Sequence, residues 1–553
     1  MTVSKKKIFA DERLTAEKLQ AERARRKVKH LVGVVANVQA ESHSQPKAVL
    51  VRPPIVAVQR AINNEAVPAV GLAYILAFAK SRGYEVKLID AIASRLNRIW
   101  PLDDVPGYIC KGLTFDEIIA DIDPDTEVIG FSIMFSGEWP AHRRLIKMVG
   151  EKFPQALLLA GGEHITALSE FSLRDCPELD FCVHGEGEMT FVDILDGLRL
   201  GKDLRELEGV AYLDKDGSYC TGGGLPRIRD IDNLPWPHWP DGYLENFWDA
   251  GKSYGIQSFR DMPMMASRGC PFRCTFCSNS QMWTTRYILR DVEDVIWEIK
   301  HWLAKYQITA IQFYDLTAIT KKSWAMEFCR RLKEENLNIN WSLPSGTRSE
   351  ILDFETLSNF KDTGCNYLVY APETGSARTL KAIKKRVDLK NMDDSIRAAK
   401  RAGLVIRTNL IIGFPGETRV DVFHTVVYGL KLAFWGADEV SINIFSPYPG
   451  TEIFADLIAS GELVVSDDYL LGLTSLNSDY TAFNPITCNK NMSAFEMACY
   501  RLGFMMINYI LGYLFYPKRI FRTLRNIFSD HHAATVLEHR LKDVIAGWRK
   551  KEK

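Results

Sequence analysis

Neither sign of charge dominates this chain: 69 Lys and Arg stand against 69 Asp and Glu over 553 residues. That balance lays down no electrostatic footprint for nucleic acid. Apolar runs long enough to cross a bilayer are missing too. The most extended, Leu502 to Tyr516, has fifteen residues, where a spanning helix needs about 20. Internal repeats and low-complexity tracts are absent, which leaves out repeat architectures. The opening stretch, Met1 to His30, is rich in Lys and Arg but carries Asp11, Glu12, Glu17 and Glu22 and no apolar core. It reads as a solvated helix or frayed arm, not as a signal or transit peptide. With 46% hydrophobic residues, the rest is a globular chain long enough for three or more domains.

The cysteines lack the rhythm of a disulfide framework. Cys110, Cys176, Cys182, Cys220, Cys329, Cys365, Cys488 and Cys499 are scattered and read as buried apolar residues. Cys270, Cys274 and Cys277 are different: they stand together in Ser267-Arg-Gly-Cys-Pro-Phe-Arg-Cys-Thr-Phe-Cys-Ser278. Cuboidal four-iron clusters usually take four cysteinates, so three within so short a loop leave one iron open to an exogenous ligand. On this reading the three are the metal ligands and catalytic centre of one 4Fe-4S cluster. The alternatives are a zinc knuckle and a chance gathering of buried thiols. Zinc sites usually show a second CxxC or His pair, and none follows Cys277 at finger spacing.

The CxxxCxxC spacing, with Phe276 just before the last cysteine, resembles the signature of radical S-adenosylmethionine (SAM) enzymes. The resemblance implies that the open iron binds the amino and carboxylate groups of SAM. One electron then cleaves the sulfonium and releases a 5′-deoxyadenosyl radical. It also implies an external one-electron donor such as flavodoxin or ferredoxin. An oxygen-sensitive cluster and unpaired thiols fit a reducing cytoplasm.

From Ala48 onward short β-rich runs alternate with amphipathic helices, the rhythm of a parallel α/β sheet. Strands are expected at Ala48 to Val51, Tyr84 to Ile89, Glu127 to Phe131, Ala156 to Ala160 and Phe181 to Val183, with a helix over Ala69 to Lys80. Each strand runs into a small or polar loop, as in a doubly wound domain that binds its ligand beyond the carboxyl ends of the strands. The order of Arg52-Pro-Pro54, Val67-Pro-Ala-Val-Gly-Leu-Ala-Tyr74, Gly83-Tyr-Glu-Val-Lys-Leu-Ile-Asp90, Gly130-Phe-Ser132, Gly161-Gly-Glu-His164 and Gly185-Glu-Gly-Glu188 resembles the cobalamin-binding domain placed ahead of the radical SAM core in one large subfamily. By that resemblance Ser132, Gly161, Gly162, Gly185, Glu186 and Gly187 are candidate cobalamin-binding residues. Cobalamin domains that supply a lower axial histidine carry Asp-x-His-x-x-Gly, and this chain has no such string. His142, His164 and His184 are therefore expected to be loop or surface histidines.

Asp230-Ile-Asp-Asn-Leu-Pro-Trp-Pro-His-Trp-Pro240 is proline-rich and reads as a stiff connection. A second α/β unit follows, with strands expected at Met264 to Gly269, Ala310 to Tyr314, Asn340 to Leu343, Tyr367 to Tyr370, Val405 to Ile412 and Glu439 to Phe445. Six β/α repeats fit the partial barrel of radical SAM enzymes, with reactive groups at the carboxyl ends of the strands. By analogy with that family, Asp315 and Glu373 contact the methionine end or ribose of SAM, Phe276 and the backbone at Gly413 flank it, and Ser446-Pro-Tyr-Pro-Gly-Thr451 closes the sixth strand. Arg407 pairs either with the carboxylate of SAM or with a neighbour.

The fold class expected is thus α/β: an N-terminal doubly wound cobalamin-binding domain, a partial (β/α)6 radical SAM barrel and a helical C-terminal region. The boundaries read as an extension at 1–45, the cobalamin domain at 46–225, a linker at 226–255, the barrel at 256–460 and helices at 461–553. In the last region Lys518, Arg522 and Arg525 share one face of a helix whose other face holds Ile520, Phe521 and Leu524. Such a helix is either a lid on the barrel or a peripheral membrane or lipid contact.

One reaction uses both cofactors. A corrin methylated by one SAM donates methyl to a substrate radical made with a second, so that an unactivated carbon or phosphorus centre is methylated. Two rivals remain at this stage. A cyclase or ring-rearranging enzyme of the oxygen-independent porphyrin type keeps both cofactors without the methylation. A non-catalytic corrinoid sensor would need no open-site cluster. The substrate is a small molecule, and the apolar C-terminal helices favour a lipid-like or otherwise apolar one.

Overall fold

The computed structural model describes residues 45–60, 66–252, 259–317, 319–474 and 485–528, with Thr535 and Glu538. The expectations for the N-terminal arm and for most of 529–553 lie outside the described residues. The chain forms two compact units. One comprises residues up to Pro54, Gly71–Ala91 and Leu113–Ile228; the other comprises Ile55–Val70, Ile92–Gly112 and Arg229 onward.

In the first unit a seven-stranded sheet holds β1 (Ala48–Arg52), β2 (Val86–Asp90), β3 (Val128–Ser132), β4 (Leu157–Gly161), β5 (Phe181–Val183), β6 (Val210–Leu213) and β7 (Tyr219–Thr221), in the order β7-β6-β5-β4-β3-β1-β2. The first five are parallel. Runs such as Ala-Val-Leu-Val and Leu-Leu-Leu-Ala are buried residue after residue because crossover helices cover the sheet. Chain order 2-1-3-4-5 across the parallel strands places the topological switch between β1 and β3. The antiparallel edge pair β6 and β7 goes beyond the five strands expected. Its signal lay in the turn Asp214-Lys-Asp-Gly217, where Asp214 accepts the N–H groups of Asp216 and Ser218.

The second unit carries a six-stranded parallel sheet, β8 (Asp261–Met264), β9 (Ala310–Phe313), β10 (Asn340–Thr347), β11 (Cys365–Glu373), β12 (Val405–Ile412) and β13 (Glu439–Ile444), paired strictly in chain order. That is the partial (β/α)6 barrel. Its connecting helices start where the sequence supplies a cap: Asp291, Asp353 and Asp388 each accept backbone N–H groups of the first turn. Between helices and sheet, Trp341 meets Phe313, Phe328 and Phe360 edge-on. A small antiparallel sheet of Ile55–Val58, Tyr108–Lys111 and Ile99–Pro101 also belongs to this unit.

The first barrel strand lies ahead of the Met264 to Gly269 expected, at Asp261–Met264. β8 stops at Met264, and Ser267–Arg268 pairs instead with Ile288–Leu289. The cause is Asp315: its carboxylate accepts the Ala266 N–H at 3.0 Å and the Ser267 hydroxyl, drawing the chain off the ladder. The longest C-terminal helix, Ala494–Phe515, packs on helix Arg419–Phe434 and on β13. Among the described residues no helix is long and apolar enough to cross a membrane.

Candidate functional site

The cysteine loop leaves the barrel just beyond the Ser267–Arg268 pairing. Its backbone is pinned from two sides, since the Thr275 N–H donates to Ile383 O at 3.1 Å and Ile453 N–H donates to Thr275 O at 3.1 Å. The Cys277 N–H turns back to Cys274 O, and Asn279 Nδ2 donates to Cys270 O at 3.3 Å. Thr317 Oγ1 donates to Cys270 Sγ at 3.2 Å. Phe276 packs on Phe414, which packs on Phe445, so the aromatic residue inside the motif ties the loop to the ends of β12 and β13.

Cys277 is exposed and Cys270 and Cys274 are half-buried, whereas Cys110, Cys176, Cys182, Cys329 and Cys365 are buried. Cys220 and Cys488, half-buried, and Cys499, exposed, correct the expectation that all eight scattered cysteines are buried. The three thiols of one short loop thus combine access with soft donor chemistry, which fits a cluster. Among the described residues no three His, Cys, Asp or Glu converge as ligands of a single metal ion. A cubane holds each thiolate on a different iron, so it asks less convergence than one ion does.

Around this loop the structure gathers strand-end residues into an internally bonded frame. Glu373, the last residue of β11, holds φ 68° and accepts from Lys385 Nζ at 2.8 Å. Burial works against the Lys385 ammonium, but the charges of Glu373 and Cys274 outweigh it and keep its pKa above the ordinary lysine value. Gly413 holds φ 88°, and a Cβ there would lie 2.5 Å from Met497 Sδ. Its N–H and that of Phe414 donate to Glu417 Oε2 at 2.6 and 3.1 Å, and Thr379 Oγ1 donates to Glu417 Oε1. Burial pushes the Glu417 carboxyl up to about 7 despite those three donors.

Asp315 is fully buried, and desolvation raises it to about 6; its bonds go to Ala266 and Ser267, so it shapes the entry to the cysteine loop. Arg407 donates to Asn409 Oδ1 and lies 4.0 Å from Glu439, both neighbours in the barrel. Lys385 and Glu417 escaped sequence reasoning. Glu417 sits inside Gly413-Phe-Pro-Gly-Glu-Thr418, where an acid next to two glycines was the available signal. Lys385 has no local signal, because its partner is twelve residues away on a strand end.

In the first unit, Ser132, Gly161 and the residues following β5 line up at the carboxyl ends of three adjacent strands, with Ser132 opposite Gly161 and Gly161 opposite Val183. Gly162 holds φ 113°, and a Cβ there would meet Ile133 O at 2.4 Å, so only glycine turns this corner. The Gly185 N–H donates to Thr166 Oγ1, and Gly187 opens the helix Gly187–Leu200. Small residues and a helix start at these strand ends fit a bulky corrin. Glu186 is directed elsewhere: buried, it accepts from Arg227 Nε at 2.8 Å and from the Ile228 N–H at 2.7 Å.

His142 and His164 correct an expectation, for both are buried within helices and not in loops or at the surface. His164 stacks on Trp139 and bonds Ser136 and Ser172 through its two nitrogens, and burial drops its pKa to about 3. His142 faces Pro54 O at 2.9 Å, and burial lowers it to about 4. His184 follows β5, half-buried, with its Nε2 unpartnered.

Comparison with known proteins matches residues 264–428 to the radical SAM superfamily and residues 64–195 to the B12 binding domain. The chain is 29% identical over 490 residues to the "uncharacterized methyltransferase PH0819" of Pyrococcus horikoshii, covering 88% of this chain and 95% of that protein. It is 29% identical over 423 residues to the cytidylyl-2-hydroxyethylphosphonate methyltransferase of Streptomyces wedmorensis, covering 71% of this chain and 78% of that one. The fold is similar to that of the radical SAM methyltransferase TsrM from Kitasatospora setae, solved with cobalamin and a 4Fe-4S cluster bound. The TM-score is 0.57 at 15% identity, over 75% of this chain and 78% of TsrM.

Proposed function

Because this chain belongs to the cobalamin-dependent radical SAM enzymes, with a 4Fe-4S cluster, SAM and cobalamin as cofactors, we propose that it methylates an unactivated carbon or phosphorus centre of a small molecule. The observation that carries the proposal is the accessible three-thiol loop, pinned at the mouth of a six-stranded barrel, in a chain that also holds glycine-ended parallel strands in a B12-binding unit. Relatives named as methyltransferases match at 29% identity over 88% and 71% of the chain, against 25% over 70% and 76% for two relatives named as magnesium-protoporphyrin IX monomethyl ester cyclases, which supports methyl transfer over ring closure.

In this reading Cys270, Cys274 and Cys277 would hold the cluster and leave one of its coordination sites to SAM. When bound, the cluster and SAM supply a 5′-deoxyadenosyl radical and the corrin supplies methyl transfer. The chain's own residues position. Phe276, Phe414 and Phe445 fix the cysteine loop, Lys385 holds Glu373 at the strand end, and Glu417 shapes the Gly413 turn that would flank the adenine of SAM. Ser132, Gly161, Gly162, Gly185 and Gly187 let the backbone approach the corrin, and Asp315 and Glu186 brace loops. The cobalamin domain is taken as 46–225, the barrel as 256–460 and the helical region as 461–553. We place the enzyme in the cytoplasm, reduced by a flavodoxin or ferredoxin and acting on an apolar acceptor.

Anaerobic turnover of the reconstituted enzyme with labelled SAM tests this. S-adenosylhomocysteine and 5′-deoxyadenosine should accumulate together with a labelled product. Deoxyadenosine alone would assign a cyclase or rearrangement, and bound corrin with neither product would assign a sensor.

A further inference from the structure

Helix Lys518–Phe528 lies in the structure the wrong way round for a soluble surface. Polar side chains are turned inward, though not the whole face expected from sequence, since Lys518 and Arg525 stay outside. Arg519 is 7% exposed and donates from Nη2 to Gly436 O at 2.8 Å, and Arg522 Nη1 donates to Asp438 at 2.9 Å. Thr523 and Asn526 donate to the buried Glu538 at 2.9 and 2.8 Å. Phe521, by contrast, is 76% exposed and Leu524 48%. The preceding helix Ala494–Phe515, packed against this one, repeats the inversion: Arg501 and Asn508 are buried while Met506, Ile510 and Leu514, at a spacing of four, are 68%, 62% and 68% exposed. Buried polar groups and exposed large apolar ones are the informative departures from ordinary burial.

Charge points to what covers this face. The whole chain is neutral, yet Met497 to Ser529 contains no Asp or Glu. Of its basic residues Arg501 and Arg519 are buried and Arg522 pairs with Asp438, so Lys518 and Arg525 set the charge of the outward side. Lys518 and Arg525 are exposed beside Phe521. Tyr509 and Tyr513, stacked on each other, line a cavity with Asp438, Arg519 and Thr523, and the Tyr516 hydroxyl donates to Phe434 O, which leaves the outward face to Met506, Ile510, Leu514 and Phe521. We propose that this helix pair docks the protein on an anionic lipid membrane, lying in the interface and not spanning it. A second copy fits less well, since a two-fold contact would set this basic patch, with Lys518 and Arg525, against its own copy.

The proposal does not rest on methyl transfer, and it is tested apart from turnover. Full-length cofactor-loaded protein is floated with vesicles of phosphatidylcholine alone and of phosphatidylcholine with phosphatidylglycerol. Binding to the anionic vesicles should exceed binding to the neutral ones by about tenfold and should weaken with salt. Phe521→Asp should cut the bound fraction about tenfold, and Phe521→Ser by less, with corrin and iron content retained. Lys518→Glu with Arg525→Glu should abolish the preference for anionic vesicles. The proposal is overturned if the wild type fails to float with anionic vesicles, if the variants float as well as the wild type, or if Phe521→Asp instead breaks a dimer that forms without lipid.

Discussion

Lys385 reaches to Glu373, Nζ to Oε1 at 2.8 Å, and the two side chains are only 12% and 9% exposed. Removing one partner strands the other's charge. Lys385→Met should cost about 3–5 kcal/mol, the usual penalty for an orphaned buried charge, whereas the double variant with Glu373→Gln should recover much of it. Denaturant melts of the single and double variants provide the check.

Glu417 should make the barrel less stable as pH rises. Its folded pKa lies above the unfolded carboxyl value, so the folded state holds the extra proton between about 4.5 and 7, and stability falls as pH rises through that window. The loss is on the order of 3 kcal/mol. Glu417→Gln keeps an acceptor for the Gly413 and Phe414 N–H groups and has no proton to lose. Its melting temperature should overtake that of the wild type by pH 8 and be flat where the wild type slopes.

Gly413→Ala puts a Cβ 2.5 Å from Met497 Sδ at a φ of 88°. Strain and overpacking together should cost about 2–4 kcal/mol. Adding Met497→Ala removes the clash but opens a cavity at a fully buried side chain. Thermal melts of the double variant should therefore stay below the wild type, with a deficit smaller than the sum of the two single losses.

Replacing any one of Cys270, Cys274 and Cys277 by Ala should remove most of the iron from anaerobically reconstituted protein and abolish 5′-deoxyadenosine formation. Corrin content should stay that of the wild type. Iron retained in all three variants would count against the thiolate cluster.

His164 is bonded through both ring nitrogens inside the first unit. His164→Ala should therefore lower stability by about 2–4 kcal/mol and leave corrin bound per folded chain unchanged. Electron paramagnetic resonance of the reduced cobalt should show the same signal in wild type and variant.

The sequence by itself determined the alternation of strands and helices, because runs such as Ala48 to Val51 and Leu157 to Ala160 are apolar enough to be strands wherever they pair. It also placed three thiols in one loop, since ligand spacing is local. What only the tertiary structure decided were the partners of charges. Asp315 and Glu186 are expected from the family resemblance to bind cofactors, and the fold adds what no linear pattern gives: their carboxylates bond Ser267 and Arg227, across 48 and 41 residues. Lys385 and Glu417 gained importance for the same reason: burial and a distant partner, neither of which a linear pattern encodes. The face that helix Lys518–Phe528 turns outward was a tertiary decision as well. Its amphipathicity is written in the chain, but Asp438 and Glu538 choose which side is buried.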